Sequence, residues 1–297
     1  MVAACNRVGS VTCPAMRKTL LDSRNARQYG PGMRFCVNVS ILFTEVPLLE
    51  RFARARDAGF DAVELWWPRG EDLSEVRSAI RDADLDVVVL NFDAGDMPAG
   101  DRGLISDPAR QEEFRANVPV ALELAEAVGC TKLNALAGHE LPGTERREQL
   151  ELARDNVRFA ADAARTQGAE VLIEAVNTYE NGPYLLPRTR AAADFVQDVG
   201  RENVRLQYDA YHMQRMEGDL TATIERHIGE IAHVQIADSP GRGRPGTGEI
   251  NFDYVLGRLD ELGYAGYVGL EYKAPAGDTE GSLDWLPREQ RGSRSRA

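Results

Sequence analysis

Four apolar runs in the second half of the chain each lead into an oxygen-bearing side chain. Val171-Leu172-Ile173 runs into Glu174, Leu206-Gln207-Tyr208 into Asp209, His233-Val234 into Gln235, and Val268-Gly269-Leu270 into Glu271. Three carboxylates and one amide oxygen are hard donors, a set that suits Mg²⁺ or Mn²⁺ better than a soft structural metal. Gathering the acids without a cation is costly, because like charges in a partly dehydrated site oppose ionisation. A lone acid at a strand end reads as well as a helix cap or a solvated loop residue. Four such residues on four different runs favour a metal site, provided the runs are strands whose ends converge. His212, three residues after Asp209, suits a substrate contact or an ordinary loop histidine. His233 shares a strand face with Gln235 one layer deeper, which reads as structural. Glu64 near another strand end reads as a pocket residue or a brace behind one. Trp66 and Trp67 form an aromatic pair of which one walls the cavity and the other packs beneath the loop. The glycine-rich stretch from Gly241 to Glu249 carries Arg242 and Arg244, which could hold a carboxylate or phosphate. It lacks the terminal Gly-Lys-Ser/Thr of a phosphate loop.

What must position these residues is an alternation of short apolar runs and longer stretches with helical spacing. From Met33 onward the pattern repeats. Strands are expected at 34–39, 62–65, 87–91, 131–134, 170–174, 204–208, 231–236 and 267–270. Between them lie helical stretches such as 73–83, where Leu73, Val76, Ile80 and Ala83 recur at three- and four-residue intervals. Eight βα units fit between residues 33 and 275, which favours an α/β fold of the closed (β/α)₈ TIM-barrel type, with an open doubly wound sheet as the alternative. Residues 1–32 read as a flexible N-terminal extension and 276–297 as a C-terminal extension; the first, and the charged, apolar-poor tail from near Pro287, carry little of the core.

Composition narrows the functional classes. The 297 residues hold 35 Lys plus Arg against 47 Asp plus Glu, a net charge of −12. That makes nucleic acid and anionic membranes poor partners. The four cysteines form no C-x-x-C pair, which argues against structural zinc, iron–sulfur clusters or a redox dithiol and for a reducing, cytoplasmic setting. No stretch has the apolar length of a membrane span.

Several motifs carry a resemblance. Leu90-Asn91-Phe92-Asp93-Ala94-Gly95-Asp96 is followed by Ala99-Gly100-Asp101-Arg102-Gly103, then by Asp209-Ala210-Tyr211-His212-Met213-Gln214. The most telling pieces are Gln235-Ile236-Ala237-Asp238-Ser239-Pro240-Gly241-Arg242 and Pro245-Gly246-Thr247-Gly248-Glu249-Ile250-Asn251. Over Met33 to Lys273 the chain resembles the hydroxypyruvate isomerase family within the xylose-isomerase-like barrel superfamily. Related sugar 3-epimerases look like having histidine where this chain has Gln235. The resemblance implies interconversion of hydroxypyruvate and 2-hydroxy-3-oxopropanoate (tartronate semialdehyde) through an enediolate. It implies a divalent cation on Glu174, Asp209, Gln235 and Glu271, with Glu174 and Glu271 doubling as the acid–base pair. It also implies substrate contacts from His212 and, more weakly, Arg242, with no redox cofactor. A ketose 3-epimerase, or an isomerase of a larger sugar or sugar acid, is the nearest competing expectation. A metal-dependent endonuclease on the same architecture stands further off, since it needs a cationic track. The partner is thus a small hydroxy-keto acid or sugar-like substrate. Homodimer and homotetramer both stay open.

Overall fold

The computed structural model describes residues 32–275 and 277–292. The extension expected at 1–32 lies almost wholly outside them. Eight parallel strands follow one another around a closed barrel: β1 (Arg34–Asn38), β2 (Ala62–Leu65), β3 (Asp86–Asn91), β4 (Lys132–Asn134), β5 (Glu170–Glu174), β6 (Val204–Asp209), β7 (Ile231–Ile236) and β8 (Tyr267–Leu270). Closure is made by β1 on β8, where Val37 pairs with Leu270. The open-sheet alternative is thereby excluded.

The connections are helical: α1 (Leu48–Asp57), α2 (Leu73–Asp82), α3 (Gln111–Ala127), α4 (Arg146–Ala164), α5 (Thr178–Asn181), α6 (Thr189–Val199), α7 (Ala210–Met216), α8 (Leu220–His227), α9 (Phe252–Glu261) and α10 (Thr279–Ser282). Their starts follow local chemistry. Asp72 caps α2 by accepting the Ser74 N–H, and Asn251 caps α9 by accepting from Tyr254. Each longer helix buries one apolar stripe, such as Phe52 and Ala55 of α1 or Val76 and Ile80 of α2, against the outside of the sheet.

Because both faces of each strand are covered, the pleat sorts residues by depth. Cys36, Ala62 and Leu172 belong to a small buried cluster apart from the main core. Two residues further along the same strand faces come Asn38, Glu64 and Glu174, nearer the C-terminal mouth. Apolar filling below and polar groups above is the usual division of a barrel interior. The ladder shifts register between Val63 and Glu64 and between Leu206 and Gln207, where Val88 of β3 and Ala232 of β7 are the extra residues without a register partner.

The C-terminal segment packs against the barrel. Leu283 and Leu286 are fully buried, Trp285 meets Phe35 edge-on at 6.1 Å, and Arg291 donates to the carbonyls of Ala58, Leu283 and Leu286. Residues 277–292 therefore pack onto the barrel as part of its core.

Candidate active site

The strand ends converge as the barrel requires. A cavity of about 560 Å³ opens at the C-terminal mouth, lined among others by Trp66, Glu174, Glu180, His212, Arg242 and Glu271. Asp209 and Gln235, neighbours in register at the ends of β6 and β7, are buried behind that lining. All four of the oxygen donors expected at a cation seat are thus in one region of the barrel.

Each donor is held by a neighbour. Glu174 Oε2 accepts from Asn134 Nδ2 at 2.8 Å and Gln207 Nε2 at 3.0 Å. Glu271 Oε1 accepts from Asn38 Nδ2 at 3.0 Å and from the Trp66 indole N–H at 2.8 Å, while its Oε2 pairs with Arg242. Asp209 divides its carboxylate: Oδ1 caps α7 by accepting from the Tyr211 and His212 N–H groups, whereas Oδ2 is buried without a hydrogen-bond partner. Gln235 Oε1 accepts from Gln207 at 2.8 Å and its Nε2 donates to Glu64 at 2.7 Å.

Three buried carboxylates face one guanidinium, and their protonation shows the strain. Burial, with Glu271 and Asp209 nearby, holds Glu174 well above the usual carboxylate range. Burial and the Glu271 charge push Asp209 up to about 7, against the pull of Arg242 and the α7 amides. Burial also raises Glu271, with Arg242 opposing. Orphaned Asp209 Oδ2, hard oxygen donors and an excess of negative charge together fit a divalent cation. Glu174, Asp209 and His212 bring their ligand-type atoms within 4.8 Å of one another. Glu271 is turned towards Arg242 and Trp66.

The remaining expected residues fall in two places. His212, Arg242 and Trp66 line the cavity, and Trp67 packs partly buried against the core. Glu64 does not line it. Only 1% exposed, it lies in the barrel floor, where its carboxylate accepts from Asn38, Gln235, Cys36 and His233, the last at 2.5 Å. Gly269 of β8 leaves it room, since a Cβ there would stand 2.7 Å from the Glu64 carboxyl carbon. The alternative of a brace replaces that of a substrate contact. His233 is buried beneath the site, as its strand position implied.

Other residues of the site lie away from the strand-end acids. Glu180, on the short α5, lines the cavity, accepts from the Tyr211 hydroxyl and lies 3.7 Å from Lys273 Nζ. Asn38 and Asn134 end strands β1 and β4, so the same strand-end signal, extended to amides, marks them. The loop after β7 is organised by another unread residue, Asp238, whose buried carboxylate accepts from the N–H groups of Ser239, Gly246, Gly248 and Ile250. That loop presents Arg242 from a left-handed backbone, φ 53°.

Residues 52–289 match the family model described as xylose isomerase-like TIM barrel. The hydroxypyruvate isomerase of Escherichia coli is 41% identical over 254 residues, covering 86% of this chain and 98% of that protein. The 2-oxo-tetronate isomerase of Haemophilus influenzae is 37% identical, covering 86% of this chain and 98% of its own length. A crystal structure described as an AP endonuclease, family 2, from Brucella melitensis superposes with a TM-score of 0.81 at 41% identity, covering 85% of this chain and 97% of that one.

Proposed function

We propose, from the premise that this chain belongs to the hydroxypyruvate isomerase family of xylose isomerase-like TIM barrels, that it interconverts hydroxypyruvate and 2-hydroxy-3-oxopropanoate with the help of a divalent cation. The observation that carries the reading is the pair Glu174 and Glu271. Both are buried, both line one small cavity, and each stands at the end of a different strand among amide donors that fix its orientation. Such a pair can take a proton from one carbon and return it to the next.

One carboxylate removes a proton from the hydroxyl-bearing C3 of hydroxypyruvate, which gives an enediolate. A proton returned at C2, with the hydroxyl proton passing from O3 to O2, yields the aldehyde. His212 faces the cavity and can donate to the oxygen on which charge develops. Arg242 is placed to receive the substrate carboxylate while keeping Glu271 aligned. Trp66 closes one wall and holds Glu271 through its indole N–H. Glu174, Asp209, Gln235 and Glu271 would hold the cation, Mg²⁺ or Mn²⁺, which when bound supplies Lewis-acid polarisation of substrate oxygens.

A cavity of about 560 Å³ lies within the usual range of small-molecule pockets and admits a short acid. It offers no room for a polynucleotide strand, and the net charge of −12 repels one. The test is conversion of hydroxypyruvate by purified protein supplied with Mg²⁺ or Mn²⁺, run beside 2-oxo-tetronate and ketohexoses. We expect hydroxypyruvate to give the highest kcat/KM. Glu174→Gln and Glu271→Gln should each lower kcat by about 10²- to 10⁴-fold in folded protein. Turnover confined to ketohexoses, or full activity in either variant, would defeat the proposal.

A further inference from the structure

Asn177 follows β5 by three residues and is fully buried. Its Oδ1 accepts the backbone N–H of Glu180 at 3.1 Å as the cap of α5. A backbone N–H can only donate, so this contact fixes which end of the carboxamide is oxygen. The other end, Nδ2, then lies 2.6 Å from Nδ1 of His212. An amide NH₂ can only donate as well, so Nδ1 must offer its lone pair and carry no proton. The ring's hydrogen is left on Nε2, the nitrogen 3.5 Å from Asp209 Oδ2 and 3.9 Å from Glu174 Oε1.

From this we infer that Asn177 is a positioning residue, locking His212 as a neutral Nε2–H tautomer that donates to substrate oxygen and takes no part in holding the cation. The inference rests on the isomerase reading above for what the N–H does, and on geometry alone for where the N–H is. It resolves an ambiguity in the site. Glu174, Asp209 and His212 group their ligand-type atoms within 4.8 Å of one another, yet a nitrogen bearing hydrogen has no lone pair to give a metal. Gln235 and Glu271 are left to complete the donor set. A ring that stays neutral can also serve as a donor to a developing negative oxygen without first giving up a full proton.

The experiment is ¹⁵N NMR of histidine-labelled full-length protein, with the His212 signals identified by their loss in His212→Gln. We expect a pyridine-type Nδ1 and a pyrrole-type Nε2, with and without added Mg²⁺. Asn177→Asp keeps an oxygen for the Glu180 N–H but turns the other contact into an acceptor, so the hydrogen should move to Nδ1. That variant should melt close to the unsubstituted protein and lose on the order of a hundredfold in kcat, with KM little changed. A protonated Nδ1 in the unsubstituted protein, an unchanged tautomer in Asn177→Asp, or a switched tautomer with undiminished kcat would each overturn the inference. If Asn177→Asp does not fold, the tautomer of the unsubstituted protein alone decides. Since that readout needs no substrate, inactivity on hydroxypyruvate would sink the isomerase proposal and leave the lock standing.

Discussion

At the residue scale, carboxamides do most of the holding. Asn38, Asn134 and Gln207 direct NH₂ groups at the carboxylates, and Gln235 turns its NH₂ downward to Glu64. Neutral donors orient an acid without quenching it, so the negative charge stays available to a cation. Glu64 has a defined part in this. By accepting from Gln235 Nε2 it points the Gln235 oxygen away from the floor, the orientation a ligand needs. Glu64→Gln replaces one acceptor oxygen by a donor facing donors. We expect a stability loss of about 1–3 kcal/mol by denaturant unfolding. We also expect at least a tenfold weaker Mn²⁺ affinity, the low end of the usual effect of removing a partner behind a metal ligand. Unchanged Mn²⁺ affinity in a destabilised variant would show that Glu64 serves packing alone.

At the element scale, the strand ends place the acids and the loops place their partners. The loop after β7 shows how. Four N–H groups converge on Asp238, and a Cβ on Gly248 would stand 2.6 Å from that carboxylate, so the chain can only wrap this tightly with glycine there. The wrapping aims Arg242 back across the mouth, where Lys273 N–H donates to the Arg242 carbonyl. Asp238→Ala should release the loop, raising KM for hydroxypyruvate well above its effect on kcat and exposing the Arg242–Gly243 bond to trypsin. Trypsin resistance equal to that of the unsubstituted protein would contradict this role for Asp238.

The same division explains what the sequence disclosed. Strands β2, β5, β7 and β8 coincide with the apolar runs to the residue, because a parallel strand buried on both faces has to be continuously apolar. Glu174, Asp209, Gln235 and Glu271 were legible as departures from that rule. The short helices α5, α7 and α10 were not, since helices of four to seven residues carry too little periodicity to register. Asn177 and Glu180 sit at and in α5, and were missed for that reason. Glu64 was visible as a polar residue in β2, but its place in the barrel floor depends on partners that other strands bring to it, Asn38, His233 and Gln235.

At the scale of the whole molecule, the barrel carries a cost at its mouth that a divalent cation would relieve. Glu174 and Asp209 both have folded-state values raised above those of an unfolded carboxyl, Asp209 to about 7. Groups shifted in that direction favour the fold fully only below the unfolded value of about 4, and their contribution is lost as pH rises through the folded value. The metal-free protein should therefore lose melting temperature between about pH 5 and about pH 8, from these groups alone. Cation binding requires the ionised ligands, so its stabilisation runs the other way and strengthens over the same interval. Thermal melts with chelator and with excess Mn²⁺, at both ends of that window, should give a Mn²⁺-induced rise that is larger at the higher pH. Asp209→Asn should flatten both trends, because it removes the acid and keeps an oxygen able to cap α7. A chelated protein whose melting temperature climbs through neutrality, or a Mn²⁺-induced rise that is the same at both ends, would mean that the three buried acids are settled without a metal.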